Sequence, residues 1–122
     1  MEWDEVKKIK HIRLMPEYGG CCFWDSTGCG CGDCENVLLD DDTELDTSVL
    51  DGLERWSLEY DYSLRDEDYR KYWNPEFRKD YSERGLAIAK EFRKILPAEY
   101  ALFLHIPEFG IKFLLVDENT AL

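Results

Sequence analysis

The segment from Asn74 to Leu96 constrains the fold most, because it combines a helix start signal with a long apolar stripe. Asparagine is a favoured N-cap residue. Proline is tolerated at the first helical position because the N–H group that it lacks would have no hydrogen-bond partner within the helix. A helix over 75–96 would be about 33 Å long at 1.5 Å per residue, enough to span a small domain. Its stripe repeats at helical spacing and consists of Phe77, Tyr81, Ile88, Phe92 and Ile95. We expect this stripe to pack on a sheet.

Four other segments have the patterns of a shorter helix and three strands. Thr47 or Ser48 can cap a helix over about 48–63, in which apolar residues recur every three or four positions. The run 7–15 alternates apolar and polar residues and ends at a proline, which predicts an amino-terminal strand. Residues 100–106 and 111–116 are short and rich in aromatic and β-branched residues, which predicts a hairpin or two neighbouring strands.

This order of elements predicts an α+β fold in one domain, 1–122. The expected architecture is a two-layer sandwich with an antiparallel or mixed sheet of about three or four strands and two helices on one face. Hydrophobic residues make up 44% and aromatic residues 14% of the chain, which excludes a disordered acidic tail. Residues 16–47 are expected to form a long loop region, rich in glycine and cysteine at first and acidic afterwards.

The net charge of −12 lies almost entirely in one third of the chain. Between Leu14 and Glu54 there are eleven acidic residues and no lysine or arginine, so this part alone carries −11. An acidic surface repels nucleic acid and anionic membranes, and it attracts a basic protein partner, for which a bacterial toxin is a candidate. A solvated acidic loop is the alternative. The candidate partner-binding residues are Asp40, Asp41, Asp42, Glu44, Asp46 and Trp24.

All five cysteines fall between Cys21 and Cys34 in a C-C-x6-C-x-C-x2-C arrangement. Thiolates bind zinc tetrahedrally, and four sulfurs in so short a segment can reach one ion if the loop folds back. Free thiols and a redox disulfide are the alternatives. The candidate metal ligands are Cys22, Cys29, Cys31 and Cys34, and no cofactor is expected unless these cysteines bind zinc or another thiophilic metal.

Two motifs resemble a known family. The opening Ile12-Arg13-Leu14-Met15-Pro16-Glu17-Tyr18-Gly19, followed by Trp24-Asp25, is similar to that of a family of small uncharacterised bacterial proteins, in which it reads "IRLMPDYG…LWD". The likeness continues to Gly85-Leu86-Ala87 and covers roughly 9–106. It implies no catalytic residue. The chain departs from the pattern at Cys22, where a proline is expected, and in its further cysteines.

Motifs of catalysis do not occur in the sequence. It has no P-loop, G-x-S-x-G, H-E-x-x-H or G-x-G-x-x-G pattern, and its histidines, His11 and His105, lie in predicted strands. The leading hypothesis is therefore a non-enzymatic cytoplasmic binding protein, of which an immunity-type inhibitor of a bacterial toxin is the most concrete form. The cytoplasmic expectation follows from an amino end without the apolar run of a secretory signal. A zinc-binding accessory domain and an enzyme with an unrecognised acid pair are the alternatives.

Overall fold

The computed structural model describes residues 2–16, 23–25, 47–65 and 73–122. Its helices and strands follow the order that the sequence predicts, with two differences. A short helix precedes the first strand, and residues 23–25, inside the predicted loop region 16–47, form a strand because they pair antiparallel with residues 12–14. In chain order they are α1 (Trp3–Val6), β1 (His11–Leu14), β2 (Phe23–Asp25), α2 (Thr47–Arg65), α3 (Pro75–Ile95), β3 (Ala101–Ile106) and β4 (Ile111–Leu115). A 3-10 turn, Pro107–Phe109, connects the last two strands.

The strands of the described residues form one mixed sheet in the order β2-β1-β3-β4. The pairs β1–β2 and β3–β4 are antiparallel, whereas β1 and β3 run parallel, with Ile12 opposite Leu102 and Leu14 opposite Leu104. The parallel pair requires a crossover, and α2 and α3 both lie in that connection. In the sheet so formed β4 is an edge strand, and its Lys112 is exposed, since a charge on an edge strand can reach water.

The main core lies between α2, α3 and one face of the sheet. Side chains alternate between faces along a strand, so Ile12 and Leu14 share a face with Leu102, Leu104 and Ile106. These strand residues form one buried cluster with residues of both helices, namely Leu53, Trp56, Tyr60, Tyr81, Leu86, Ala89 and Phe92. Both long helices therefore cover the same face, and the predicted α+β class is confirmed.

Helix α3 begins where the sequence predicts. Asn74 Oδ1 accepts a hydrogen bond from the Phe77 N–H at 2.8 Å, and Pro75 occupies the first helical position. Of the predicted stripe, Tyr81 and Phe92 are fully buried. Its other members are half-buried and pack against the core; they are Phe77, Ile88 and Ile95.

The carboxy-terminal end of α3 is capped by the guanidinium group of Arg93. Arg93 donates to the carbonyl oxygens of Leu96 at 3.1 Å and Pro97 at 3.0 Å, and also to that of Tyr100. Partial burial lowers the pKa of Arg93. The cap fixes the turn that leads from α3 into β3.

The amino end differs from the prediction. The strand begins at His11 rather than near Lys7, and residues 3–6 form the short helix α1 before it. Helix α1 is stabilised by tertiary contacts, because Val6 is fully buried and the Trp3 ring packs on the side chains of β1 and β4. None of the helices in the described ranges is long and apolar enough to cross a bilayer.

Candidate functional site

The acidic residues predicted to bind a partner lie outside the described residues: Asp40, Asp41, Asp42, Glu44 and Asp46. Trp24 lies in strand β2, where its backbone pairs with Arg13 of β1. The predicted metal ligands also lie outside the described residues: Cys22, Cys29, Cys31 and Cys34. Among the residues that are described, no group of three or more His, Cys, Asp or Glu side chains could hold a metal ion.

Charge separates the described framework from the rest of the chain. The described residues include 13 lysines and arginines against 16 aspartates and glutamates, a net charge of −3. The remaining residues therefore carry −9 of the total −12. The acidic character belongs mainly to the sequence that leads into α2, and the described part of the chain is close to neutral.

Helix α2 continues this acidic sequence into the described structure. Its first acidic residues, Asp51 and Glu54, are both exposed, and Arg55 is the first basic residue after Arg13. The acidic sequence thus extends from residue 40 through two turns of α2 without a basic residue.

A groove of about 290 Å³ lies beside these residues, between the start of α2 and the second half of α3. Its floor contains the half-buried side chains of Val49 and Ile88, and Gly52 leaves it open because no atom lies within 4 Å of where a Cβ would be. Glu91 lies on its rim and pairs with Lys94 at 3.0 Å, and both are exposed. The groove can accept an apolar or long aliphatic side chain beside acidic groups.

The position of α2, and hence of the groove, is fixed by Trp56 and Tyr81. Trp56 Nε1 donates to the Tyr81 carbonyl oxygen at 3.0 Å, and Tyr81 Oη donates to the Trp56 carbonyl oxygen at 2.7 Å. The two rings stack with centroids 4.6 Å apart. The indole also lies against Gly85 of α3, where a Cβ would come within 2.4 Å of Trp56 Cζ2. The two helices therefore approach closely through a buried, reciprocally hydrogen-bonded pair.

An arginine joins the same helices at the surface. Arg84 of α3 binds both carboxylate oxygens of Glu59 in α2, at 2.7 and 2.8 Å, and also contacts Asp80 Oδ2 at 2.8 Å. The two hydrogen bonds to Glu59, followed by the one to Asp80, raise the pKa of Arg84. Bidentate geometry makes this pair more specific than an ordinary exposed ion pair, although solvent screens its strength.

The other end of α2 packs into an aromatic cluster. Trp73 Nε1 donates to Ser63 Oγ at 2.8 Å, and the Trp73 ring lies 5.4 Å from Tyr60 and 5.2 Å from Phe109. Trp56 and Trp73 thus anchor helices.

The histidines lie in strands, as predicted. His11 of β1 is fully buried, and its Nδ1 lies 2.7 Å from the Ile9 carbonyl oxygen. His105 of β3 is half-buried, and burial and the nearby charge of Arg13 lower its pKa. Both side chains lie on the face of the sheet opposite the helices, because they alternate with the core residues of their strands.

Sequence reasoning did not identify the groove or the open position at Gly52. The groove depends on how α2 and α3 pack against each other, which is a tertiary property. The signal in the sequence that could have pointed to the groove is Gly52. A glycine inside a helix lowers its stability relative to alanine, so its presence suggests that the missing side chain matters.

Comparison with known proteins gives a family match. A family model described as Serratia CdiI immunity protein-like matches residues 10–105, which is 96 of the 122 residues. The match supports the expectation of a small bacterial family and covers nearly the same range as the resemblance at 9–106. Comparison with curated proteins and with solved structures finds no match.

Proposed function

The chain belongs to the family of Serratia CdiI immunity protein-like proteins, and on this premise we propose that it is an immunity protein that binds a bacterial toxin and blocks it through an acidic surface. The family match over residues 10–105 is the observation that carries the proposal, because it covers both long helices and strands β1 and β2 completely, together with most of β3. Immunity implies a toxin as the partner. The basic character of that toxin is our inference from the charge of this chain.

The proposed contact surface begins with the acidic residues Asp40, Asp41, Asp42, Glu44 and Asp46. It continues along the exposed side of α2 through Asp51 and Glu54 to the groove beside Gly52. Trp24 is proposed as an aromatic anchor. Complementary charge speeds the encounter of two proteins, whereas a buried aromatic anchor slows their dissociation.

The mechanism that we propose is occupation of the toxin's active site or its substrate cleft, without chemistry on the toxin. A basic cleft that holds an anionic substrate is complementary to a dense row of carboxylates. The charge pattern of the sequence supports this proposal, because residues 14–54 contain eleven acidic residues and no lysine or arginine, and so carry −11 of the net charge of −12. Since a toxin of this kind must be blocked where it acts, we place the protein in the cytoplasm.

An immunity gene lies directly downstream of its toxin gene, so the proposal predicts that the gene directly upstream of this chain's gene encodes the toxin, and the experiment uses the toxin domain of that gene product. Induction of that domain alone should stop growth of the host, and co-expression of this chain should restore growth. The two purified proteins should also form a complex on size-exclusion chromatography. A toxic upstream domain that this chain neither binds nor neutralises would contradict the proposal.

A control separates binding from catalysis. A protein that acts by occupancy protects only in proportion to its amount, so protection should fall when the chain is expressed below the level of the toxin. Full protection at a small fraction of the toxin concentration would show turnover, and it would contradict a purely binding mechanism.

A further inference from the structure

A second cluster of side chains lies on the outer face of the sheet, which α2 and α3 do not cover. It contains a stacked pair, His105 and Phe113, with ring centroids 4.2 Å apart and planes only 14° from parallel. The Trp3 ring of α1 stacks on Phe113 at 6.0 Å, and the Arg13 guanidinium lies 4.3 Å from the Trp3 ring. We call these four side chains the outer cluster. Through it α1 packs on the sheet.

Phe113 has an unusual backbone conformation. Its φ angle is 42°, a left-handed value that a bulky side chain rarely adopts. The pairing of β3 with β4 is irregular at this point, because Leu104 is opposite Leu114 while Ile106 is opposite Ile111. Lys112 and Phe113 therefore lie together opposite His105, as in a β-bulge. Such a conformation is strained for a bulky residue, and it persists only where neighbouring contacts hold it.

The hydrogen bond that holds the bulge depends on the protonation of His105. The Phe113 backbone N–H donates to His105 Nδ1 at 3.3 Å. A ring nitrogen can accept this bond only while it carries no proton, so the bond requires the neutral imidazole with its proton on Nε2. Protonation at Nδ1 would turn the acceptor into a donor and place two N–H groups against each other.

The charges that face His105 come from three elements. Arg13 of β1 and Lys112 of β4 both oppose a positive charge on the imidazole, and Glu108 of the 3-10 turn favours one. Burial opposes the charge more strongly than any of them, and together these effects lower the pKa of His105. The neutral form that the hydrogen bond needs is thus the form that the surroundings favour near neutral pH.

We propose that His105 is an acid-sensitive switch: its protonation breaks the bond to the Phe113 amide, relaxes the bulge and loosens the contact between Phe113 and Trp3 of helix α1. Phe113 then loses the hydrogen bond from its N–H to His105 Nδ1 and its stacking contact with a neutral imidazole ring. The stacking of Trp3 on Phe113 weakens as a consequence. The main core between the helices and the sheet contains none of these groups, so it is retained.

This property goes beyond toxin binding and can be tested on the purified chain alone. A series of two-dimensional NMR spectra between pH 7.5 and 5 would follow the imidazole carbon-bound protons, the Phe113 amide and the Trp3 indole N–H. The His105 titration should have its midpoint below 6.5, the ordinary value for histidine. The Phe113 amide and the Trp3 indole should shift with that same midpoint, while the indole N–H of Trp56 should not. Phe113 and Trp3 signals that do not follow His105 would overturn the proposal.

Three variants isolate the switch. His105→Asn places an amide oxygen near the position of Nδ1 and cannot titrate, so its Phe113 and Trp3 signals should stay constant over this pH range. Glu108→Gln and Lys112→Gln change exposed neighbours and should move the His105 midpoint in opposite directions, to lower pH and to higher pH respectively. Shifts in the same direction would show that these charges do not act on His105, and the proposal would fail. The titration of the unaltered protein decides the question even if His105→Asn does not fold.

Discussion

Gly85→Ala tests the packing of α2 on α3, which positions the proposed partner surface. An alanine Cβ at this position would lie 2.4 Å from Trp56 Cζ2 and 2.8 Å from Cε2, far closer than carbon atoms approach without displacement. Trp56 cannot move away freely, because it is 2% exposed and exchanges two hydrogen bonds with Tyr81. Either the helices separate or the indole leaves its pocket.

The magnitude follows from two opposing effects. Overpacking a core costs about 1–3 kcal/mol or more, and so close an approach belongs at the upper end of that range. Replacing glycine by alanine inside a helix stabilises it by about 1 kcal/mol. We therefore expect Gly85→Ala to lower the free energy of unfolding by about 2 kcal/mol, measured by urea denaturation followed by circular dichroism.

Gly52→Ala is the matched control in the other long helix. No atom lies within 4 Å of the position that its Cβ would take, so only the helix propensity changes. We expect this variant to be more stable than the natural protein by about 0.5–1 kcal/mol. The two substitutions are chemically identical and should have opposite signs. A Gly85→Ala protein as stable as the Gly52→Ala protein would refute the packing described for Trp56.

Three further predictions concern the core, the helix start and the cysteines. Phe92→Ala should lower the free energy of unfolding by about 3–5 kcal/mol in the same assay, because Phe92 is fully buried; an unchanged midpoint would contradict its place in the core. Asn74→Ala removes the side-chain acceptor of the Phe77 N–H and should cost about 1 kcal/mol, whereas Asn74→Asp should cost little. If zinc is bound, the purified protein should contain about one metal ion per chain, and its affinity for the metal should fall at acid pH because the thiolates become protonated. Metal-free protein in which all five thiols react rapidly with a thiol reagent would exclude the zinc site. The ligands in this prediction are Cys22, Cys29, Cys31 and Cys34.

Local signals were sufficient to predict the long helices. The start of α3 is defined by two adjacent residues, Asn74 and Pro75, and the predicted cap is present in the structure. The carboxy-terminal strands were likewise predicted from short apolar runs around Pro107 and Gly110. Gly110 supplies the left-handed turn residue, with φ of 82°, that ends the connection.

Tertiary contacts decide the features that the sequence did not predict. Helix α1 has only four residues and depends on Trp3 packing across strands that are distant in sequence. The bulge at Phe113 has no local signal, because a left-handed conformation is expected at glycine or asparagine and not at phenylalanine. For the proposed partner surface, the acidic run is predicted from the sequence alone, whereas the groove beside Gly52 exists only when α2 and α3 are packed.

The central claim is that the acidic run before α2 attracts a basic toxin, and association kinetics test it most directly. Asp40, Asp41 and Asp42 are replaced together by asparagine, and stopped-flow association with the upstream toxin domain is measured over a salt series. The matched control neutralises three exposed acidic residues of the amino end instead, by Glu2→Gln, Asp4→Asn and Glu5→Gln.

Both variants change the net charge by the same amount, so only the location of the lost charge differs. The account predicts that the triple-asparagine protein associates more slowly, by about tenfold at low salt, and with a weaker dependence on salt, because surface charges are screened over about 8–10 Å near physiological ionic strength. The control should keep nearly the natural rate and salt dependence. Equal rates for the natural and triple-asparagine proteins, or equal slowing in both variants, would contradict the claim that this run meets the toxin.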